Sequence, residues 1–285
     1  MGIRLLFHKL KIAYLRKRET TTIPSVSEEK KYGNDGEGRF INMLYRELPS
    51  CKIKRNVLIS TEEGNAEIDC LVLYQNKLFA IELKCWKGRL IERENDFLKI
   101  TTDPWTGDER YEYLKSPFKQ LGRAIYLLKR QIPVKAWVNS VVFFDDEGLE
   151  EVTTFADRIW FISNQDLVNY ICNDGKSSFG TSANEFFEKC ISADCLYSIN
   201  GDKSLSCIIN RISLRFDVLQ GEIPTDDVSF IRIIHHRFYD ELYVRLIDGS
   251  NRRIIAENAK IQVSYNGSAY SYALCNLDYI ELGNN

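Results

Sequence analysis

Histidine is scarce in this chain: three in 285 residues, His8, His235 and His236. That scarcity argues against zinc hydrolases built on histidine ligands and against histidine-based nucleases of the HNH type. His235 and His236 are neighbours in a run that reads as a strand, so they point to opposite faces and make a poor chelate. Cys-x-x-Cys is absent as well. The eight cysteines (51, 70, 85, 172, 190, 195, 207 and 275), several inside apolar strands, read as reduced core residues and not as a disulfide framework or zinc site. No apolar run is long enough for a signal peptide or a membrane span, which suits a cytoplasmic protein. There is no internal repeat, P-loop or Rossmann glycine pattern, so a nucleotide-driven step would need an NTPase or other protein partner in trans. Excess positive charge is missing too. A net charge of −2 leaves no global electrostatic footprint for nucleic acid, although basic residues can still cluster locally.

What remains is a chain with 44% hydrophobic and 27% charged residues, long enough to bury a sizeable core and divide into two domains. Three segments are expected. Residues 1–30 form a basic amphipathic N-terminal segment and linker. Met1–Arg18 carries Ile3, Leu6, Phe7, Leu10 and Tyr14 at helical spacing among lysines and arginines, and Glu19–Lys31 is mostly polar with Pro24. Such a helix suits a membrane surface, nucleic acid or a protein partner, and equally suits packing on its own domain. Residues 31–195 alternate strands and helices. A helix is expected over Glu37–Leu48 from its apolar residues at 40, 41, 44 and 48, and another from Ser116-Pro117 through about Gln131. Strands are expected at Trp137–Phe144 and Arg158–Ile162, and helices at Asn164–Cys172 and around Ala183–Cys190. From 196 to 285 the pattern is all-β, with hairpin signals at Asp248-Gly249 and Asn266-Gly267, and suggests a small barrel or sandwich. Tyr243, Tyr265, Tyr270 and Tyr272 there either stack bases or simply suit strands.

The most telling residues are two carboxylates inside apolar strands. Asp69 lies in Ala66–Tyr74 and Glu82 in Leu78–Lys84, separated by Gln75-Asn76-Lys77 as a turn. Charged residues are depleted from strands and rarely buried unpaired, so their presence needs a reason. With Gln75-Asn76 as a two-residue loop, Tyr74 faces Lys77 and Asp69 falls opposite Glu82, with Glu67 opposite Lys84. With Asn76-Lys77 as the loop, Asp69 falls opposite Lys84 instead. Either register puts Glu67, Asp69, Glu82 and Lys84 on one face beside Leu71, Leu73, Leu78 and Ala80. The other face carries Ile68, Cys70, Val72, Phe79, Ile81 and Leu83. A three-residue loop would separate the two acids. Strands apolar on both sides suggest a sheet covered on both faces. Two readings follow: a divalent metal with an activated water, or a cross-strand ion pair on a solvated face.

Four ordered segments give the chain a resemblance. Gly33-Asn34-Asp35-Gly36-Glu37-Gly38, Ala66-Glu67-Ile68-Asp69, Ile81-Glu82-Leu83-Lys84-Cys85-Trp86-Lys87-Gly88 and Ser116-Pro117-Phe118-Lys119-Gln120 resemble the nuclease-related (NERD) domain. That domain belongs to the PD-(D/E)xK restriction-endonuclease-like superfamily, and the resemblance covers about residues 31–170. Ile68 stands in place of the nominal proline, Cys70 where a histidine often follows, and Ser116 in place of an asparagine.

The resemblance implies an α/β fold with a restriction-endonuclease-like central mixed sheet flanked by helices. It implies Mg²⁺ or Mn²⁺ held by Asp69 and Glu82, with the Leu83 carbonyl and Glu37, directly or through water, as further ligands. Lys84 would position or deprotonate the attacking water, electrostatic positioning being the safer role since an ordinary lysine is protonated. Gln120 would orient water or phosphate near the same centre. Lys87, Arg89, Lys119 and Arg123 are candidate phosphate contacts, whereas Trp86 reads as a packing residue. The implied function is a metal-dependent nuclease acting on nucleic acid, DNA before RNA, in DNA processing or defence against foreign DNA. The β-rich C-terminal part would serve targeting or regulation, and cutting both strands would favour a homodimer. The competing class is a non-catalytic nucleic-acid or protein interaction module on a nuclease-like scaffold.

Overall fold

In the computed structural model the described residues are 28–145, 148–198, 204–216, 219–223, 228–236, 239–246, 248–256, 259–265 and 268–283. The expected N-terminal amphipathic segment and most of its linker, and the Asn266-Gly267 hairpin signal, lie outside them. Two compact units divide the chain, one comprising Glu28–Ile191 and the other containing everything described from Ser192 on.

The first unit opens with helix α1 (Glu28–Glu47) and strands β1 (Lys52–Thr61), β2 (Gly64–Tyr74) and β3 (Lys77–Lys84). Strands β4 (Gly88–Glu92), β5 (Asp96–Thr102) and β6 (Glu109–Lys115) follow, then helix α2 (Pro117–Gln131) and β7 (Val138–Phe144). It closes with β8 (Leu149–Thr153), β9 (Trp160–Phe161), α3 (Asn164–Asn169), a π-helical turn (Tyr170–Asp174) and α4 (Ser182–Lys189). The central sheet runs β1–β2–β3–β7–β9, with the two-residue strand β10 (Ile191–Ser192) at its edge beside β1, and is mixed: β1, β2 and β3 are antiparallel, while β7 is parallel to both β3 and β9. Strand β3 sits in the middle and is buried along its whole length except at Lys84.

Helices cover both faces, as strands apolar on both sides require. On one face α1 (Phe40, Ile41, Met43, Leu44) and α3 (Leu167, Val168) pack on Cys70, Val72, Phe79, Ile81 and Leu83. On the other, α2 (Leu121, Ala124, Ile125, Leu128) and α4 (Phe186, Phe187) pack on Leu71, Leu73, Leu78 and Ala80. Helix α2 starts where its sequence demands: Ser116 Oγ accepts from the Lys119 amide and Pro117 takes the first turn, where no N–H is needed.

Helix α1 begins earlier than the linker reading allowed, at Glu28, and passes through Gly33, Gly36 and Gly38. These glycines look like breakers, but Gly36 is there for a close approach: a Cβ on it would lie 2.3 Å from Cys85 Sγ. A second sheet, β6–β5–β4–β8, also escaped the sequence reading. Its aromatic underside joins the central sheet through Trp86, which packs 6.0 Å from Phe97 and 6.2 Å from Phe144, in the packing role expected of it.

The second unit is built of strands. They are β11 (Asp194–Ser198), β12 (Ser204–Phe216), β13 (Leu219–Ile223), β14 (Val228–His235), β15 (Asp240–Leu246), β16 (Asn251–Ala256), β17 (Lys260–Tyr265), β18 (Ser268–Ala273) and β19 (Leu277–Glu281). Their pairing runs β16–β15–β14–β19–β11–β12–β17–β18, with β13 beside β12. Tyr272 is buried in this unit's core, so it cannot join Tyr243 and Tyr270 as an exposed stacking residue. His235 bonds Asp240 and the Leu277 carbonyl, whereas His236 reaches Glu241.

In an ordinary helix interior Gly→Ala gains up to about 1 kcal/mol. Gly36→Ala should instead lose about 1–3 kcal/mol in urea unfolding, because the new methyl meets the Cys85 sulfur. Adding Cys85→Ala should recover most of the loss, and an unchanged midpoint for Gly36→Ala would contradict the close approach.

Candidate active site

The β2–β3 hairpin adopts the first of the two registers read from sequence. Tyr74 faces Lys77, and the ladder runs to Cys70 opposite Ile81. Gln75 and Asn76 form the turn at φ 46° and 62°, the left-handed pair that a two-residue type I′ hairpin needs. One step past the last pair stand Asp69 and Glu82. Here β2 leaves β3, and the Asp69 carboxylate replaces the missing ladder bond: Oδ2 accepts from the Leu83 amide at 2.8 Å.

A change of face accompanies that break. Cys51 and Ile53 of the β1 side pack toward α1, but Val57 and Ile59 pack toward α2. On β2, Cys70 and Val72 face α1 whereas Ile68 sits in the α2-side core, not beside Cys70 as simple alternation predicts. The switch falls between the paired positions Arg55–Cys70 and Val57–Ile68, where Asn56 has φ 46°. A left-handed residue on one strand resets the alternation of both. Asp69 lies at that kink.

Glu82 has no exposed surface. Its Oε1 accepts from Lys84 Nζ at 2.6 Å, and its Oε2 is buried without a hydrogen-bond partner among the described residues. Burial, then the negative charge of Asp69, pushes its carboxyl up to about 7 despite the lysine. Burial likewise raises Asp69, against the pull of Lys84 and the Leu83 amide. Burial alone would lower Lys84, but the charges of Glu82, Asp69 and Glu37 together outweigh it and hold the ammonium above its ordinary value. Lys84 is therefore a cation at neutral pH and not a ready base. Its ammonium also lies 5.8 Å over the Trp86 ring.

Glu37 is half-buried on α1, and its charge reaches Lys84, Cys70 and Cys85. What holds α1 against the site went unread in the sequence. Arg39, two residues after Glu37, pairs with Asp145 at 2.8 Å. Asp145 also accepts from the Cys85 thiol at 3.7 Å, and its own amide donates to the Lys84 carbonyl at 3.0 Å. Burial, then Asp145, pushes that thiol up to about 12, so Cys85 is an unreactive packing group. No local pattern marks an aspartate at a strand end as the clasp of a helix 106 residues earlier.

The other expected residues are more dispersed. Gln120 is exposed in the first turn of α2, and among the described residues its side chain makes no hydrogen bond to Asp69, Glu82 or Lys84. Lys119 donates to Asn95 at 2.6 Å, Arg123 to the Glu63 carbonyl at 3.0 Å, and Arg89 pairs with Glu109. Lys87 is exposed beside Gly148. Leu83 contributes its amide to Asp69. Among the described residues no group of three or more His, Cys, Asp or Glu is placed to hold a metal ion. The assembled centre is a carboxylate pair with a lysine, and Glu37 acts on it by charge.

A mixed sheet whose central strand ends in a buried carboxylate two residues before a lysine is the frame on which the family comparison falls. Residues 32–145 match the model of the nuclease-related domain, NERD. The match starts in α1 and ends on Asp145, so it takes in Glu37, Asp69, Glu82, Lys84 and Gln120. No curated protein and no solved structure matches the chain.

The raised Glu82 carboxyl has a sign that can be checked without substrate. An unfolded chain releases this proton near the ordinary glutamate value, whereas the folded protein holds it to about pH 7. The stability it contributes is fully present below the unfolded value and is lost as pH rises through about 7. In EDTA, Glu82→Gln should therefore melt about 2–4 °C above the parent at pH 8 and flatten the melting profile between pH 5 and 8. Parallel profiles for parent and variant would contradict the burial of an ionisable Glu82.

Proposed function

We propose that the first unit is a metal-dependent nuclease of the PD-(D/E)xK type, hydrolysing phosphodiester bonds of DNA. The observation that carries this reading is the orphaned Oε2 of fully buried Glu82, beside Asp69 and within the nuclease-related match. A buried anionic oxygen without a partner is costly, and a hard divalent cation is the ligand that oxygen donors of this kind suit. Asp69 and Glu82 would hold Mg²⁺ or Mn²⁺, with the Leu83 carbonyl and Glu37, directly or through water, completing the set. Such an ion supplies, when bound, charge for the scissile phosphate and a more acidic water.

The protein's own part is positional and electrostatic. Asp69 is aimed by the Leu83 amide, so one of its oxygens is already committed to the scaffold. Lys84, a cation held by Glu82, would offset the negative charge that builds on the phosphate oxygens as the water adds. Glu37 adds a further negative charge from α1, in a position kept by the Arg39–Asp145 pair. The β-rich second unit would target or regulate this activity, and defence against foreign DNA or DNA processing is the setting that suits it.

One observation favours a second reading, a non-catalytic binding module: no three-ligand metal cluster is assembled among the described residues. A single assay separates the two. Purified protein is incubated with supercoiled plasmid and Mg²⁺ or Mn²⁺, beside Asp69→Ala and Lys84→Ala. Each substitution should cut the rate on the order of a hundred-fold or more. Equal cleavage by all three samples sinks the site assignment. Binding of DNA or RNA without cleavage under either metal would select the module.

A further inference from the structure

Among the described residues, strand β6 is a free edge. In the sheet β6–β5–β4–β8 it pairs with β5 alone among the described residues, and six of its seven residues are exposed, Leu114 being half-buried. A regular edge strand with its backbone open invites another strand, and proteins ordinarily cover, distort or charge such an edge. Among the described residues β6 is neither covered nor bulged, and its four charges, Glu109, Arg110, Glu112 and Lys115, are of both signs, so they repel a random strand less than they select a complementary one. The strand also carries exposed aromatic surface: Tyr111 is 60% and Tyr113 63% exposed. At the tip of the same hairpin Trp105 is 94% exposed. That indole is not on a loose loop. Asp103 Oδ1 accepts from the Trp105 amide at 2.9 Å and the Thr106 amide at 3.1 Å, and Arg110 pairs with Asp103 at 3.4 Å.

We propose that β6 pairs antiparallel with β6 of a second copy of this chain, joining two four-stranded sheets into one. The strand Glu109-Arg110-Tyr111-Glu112-Tyr113-Leu114-Lys115 is complementary to itself. Centred on Glu112, the pairing overlaps all seven residues and sets Glu109 across from Lys115, and Tyr111 across from Tyr113, twice each. Opposite charges and aromatic pairs at facing positions are what stabilise such a ladder. Arg110 meets Leu114. The one like-charge meeting is Glu112 with its own copy, and each Glu112 already holds Lys99 at 3.0 Å. The same register carries the Trp105 turn beyond Lys115 of the second copy, toward the start of that copy's α2, so the indole gains a surface to cover it. Tyrosine, tryptophan and arginine are the residues that interface cores favour.

This assembly is independent of the chemistry at Glu82, and its test needs no substrate. The full chain is followed by light scattering over a concentration series, beside Lys115→Glu. The parent should dimerise, and Lys115→Glu should raise the midpoint concentration at least about ten-fold, since it sets glutamate against Glu109 at two symmetric positions. Glu112→Cys, on the two-fold axis, should give a disulfide-linked dimer on a non-reducing gel. Glu94→Cys, exposed in the β4–β5 turn, should not. A parent monomeric at every concentration, a midpoint unmoved by Lys115→Glu, or no cross-link from Glu112→Cys each overturns the pairing.

Discussion

Burying a carboxylate at the end of a central strand costs free energy unless its charge is neutralised and its oxygens are bonded. Glu82 meets half of that requirement. Lys84 satisfies one oxygen and the other has no partner among the described residues. The surroundings lean on that imbalance. Asp69 is brought to the same centre by a kink, its own carboxyl raised by burial, and its charge makes ionised Glu82 harder still to keep. Lys84 is drawn in by three acids and fixed as a cation. A site of this kind gives up stability at neutral pH, and a bound cation, as proposed, would offset that loss.

How the scaffold carries the cost is visible in the packing around it. Helix α1 approaches the end of β3 so closely that a Cβ at position 36 would lie 2.3 Å from Cys85 Sγ, and the Arg39–Asp145–Cys85 clasp closes the same contact, with Asp145 Oδ2 3.4 Å from that Cβ position. Both faces of the sheet are covered, so the charges sit where solvent cannot screen them fully.

Much of this was legible in the residues. Gln75-Asn76 between two apolar runs read as a hairpin turn, and the alternation of Leu71, Leu73, Leu78 and Ala80 against Val72, Phe79 and Ile81 gave a doubly covered sheet. Three features were not legible, for physical reasons. The left-handed conformation of Asn56 leaves no trace in the apolar pattern, so simple alternation puts Ile68 on the wrong face. The strands β4, β5 and β6 include a run exposed on both faces, which lacks the period-two signal of a half-buried strand. Gln120 sits at a helix start as the motif requires, yet its side chain stays at the surface, because position in a motif does not decide which way a side chain turns. Glu37 lies on the apolar stripe of its helix, which alone left its role open; only the family resemblance pointed it toward the centre, and its charge acts on Lys84.

The central claim is that the orphaned oxygen of Glu82 and the carboxylate of Asp69 together await a divalent ion. The most direct measurement is anomalous diffraction from crystals soaked in Mn²⁺. The account predicts one peak between Asp69 and Glu82, with Glu82 Oε2 among its ligands. A soak that leaves that position empty while Mn²⁺ binds elsewhere on the protein would contradict it.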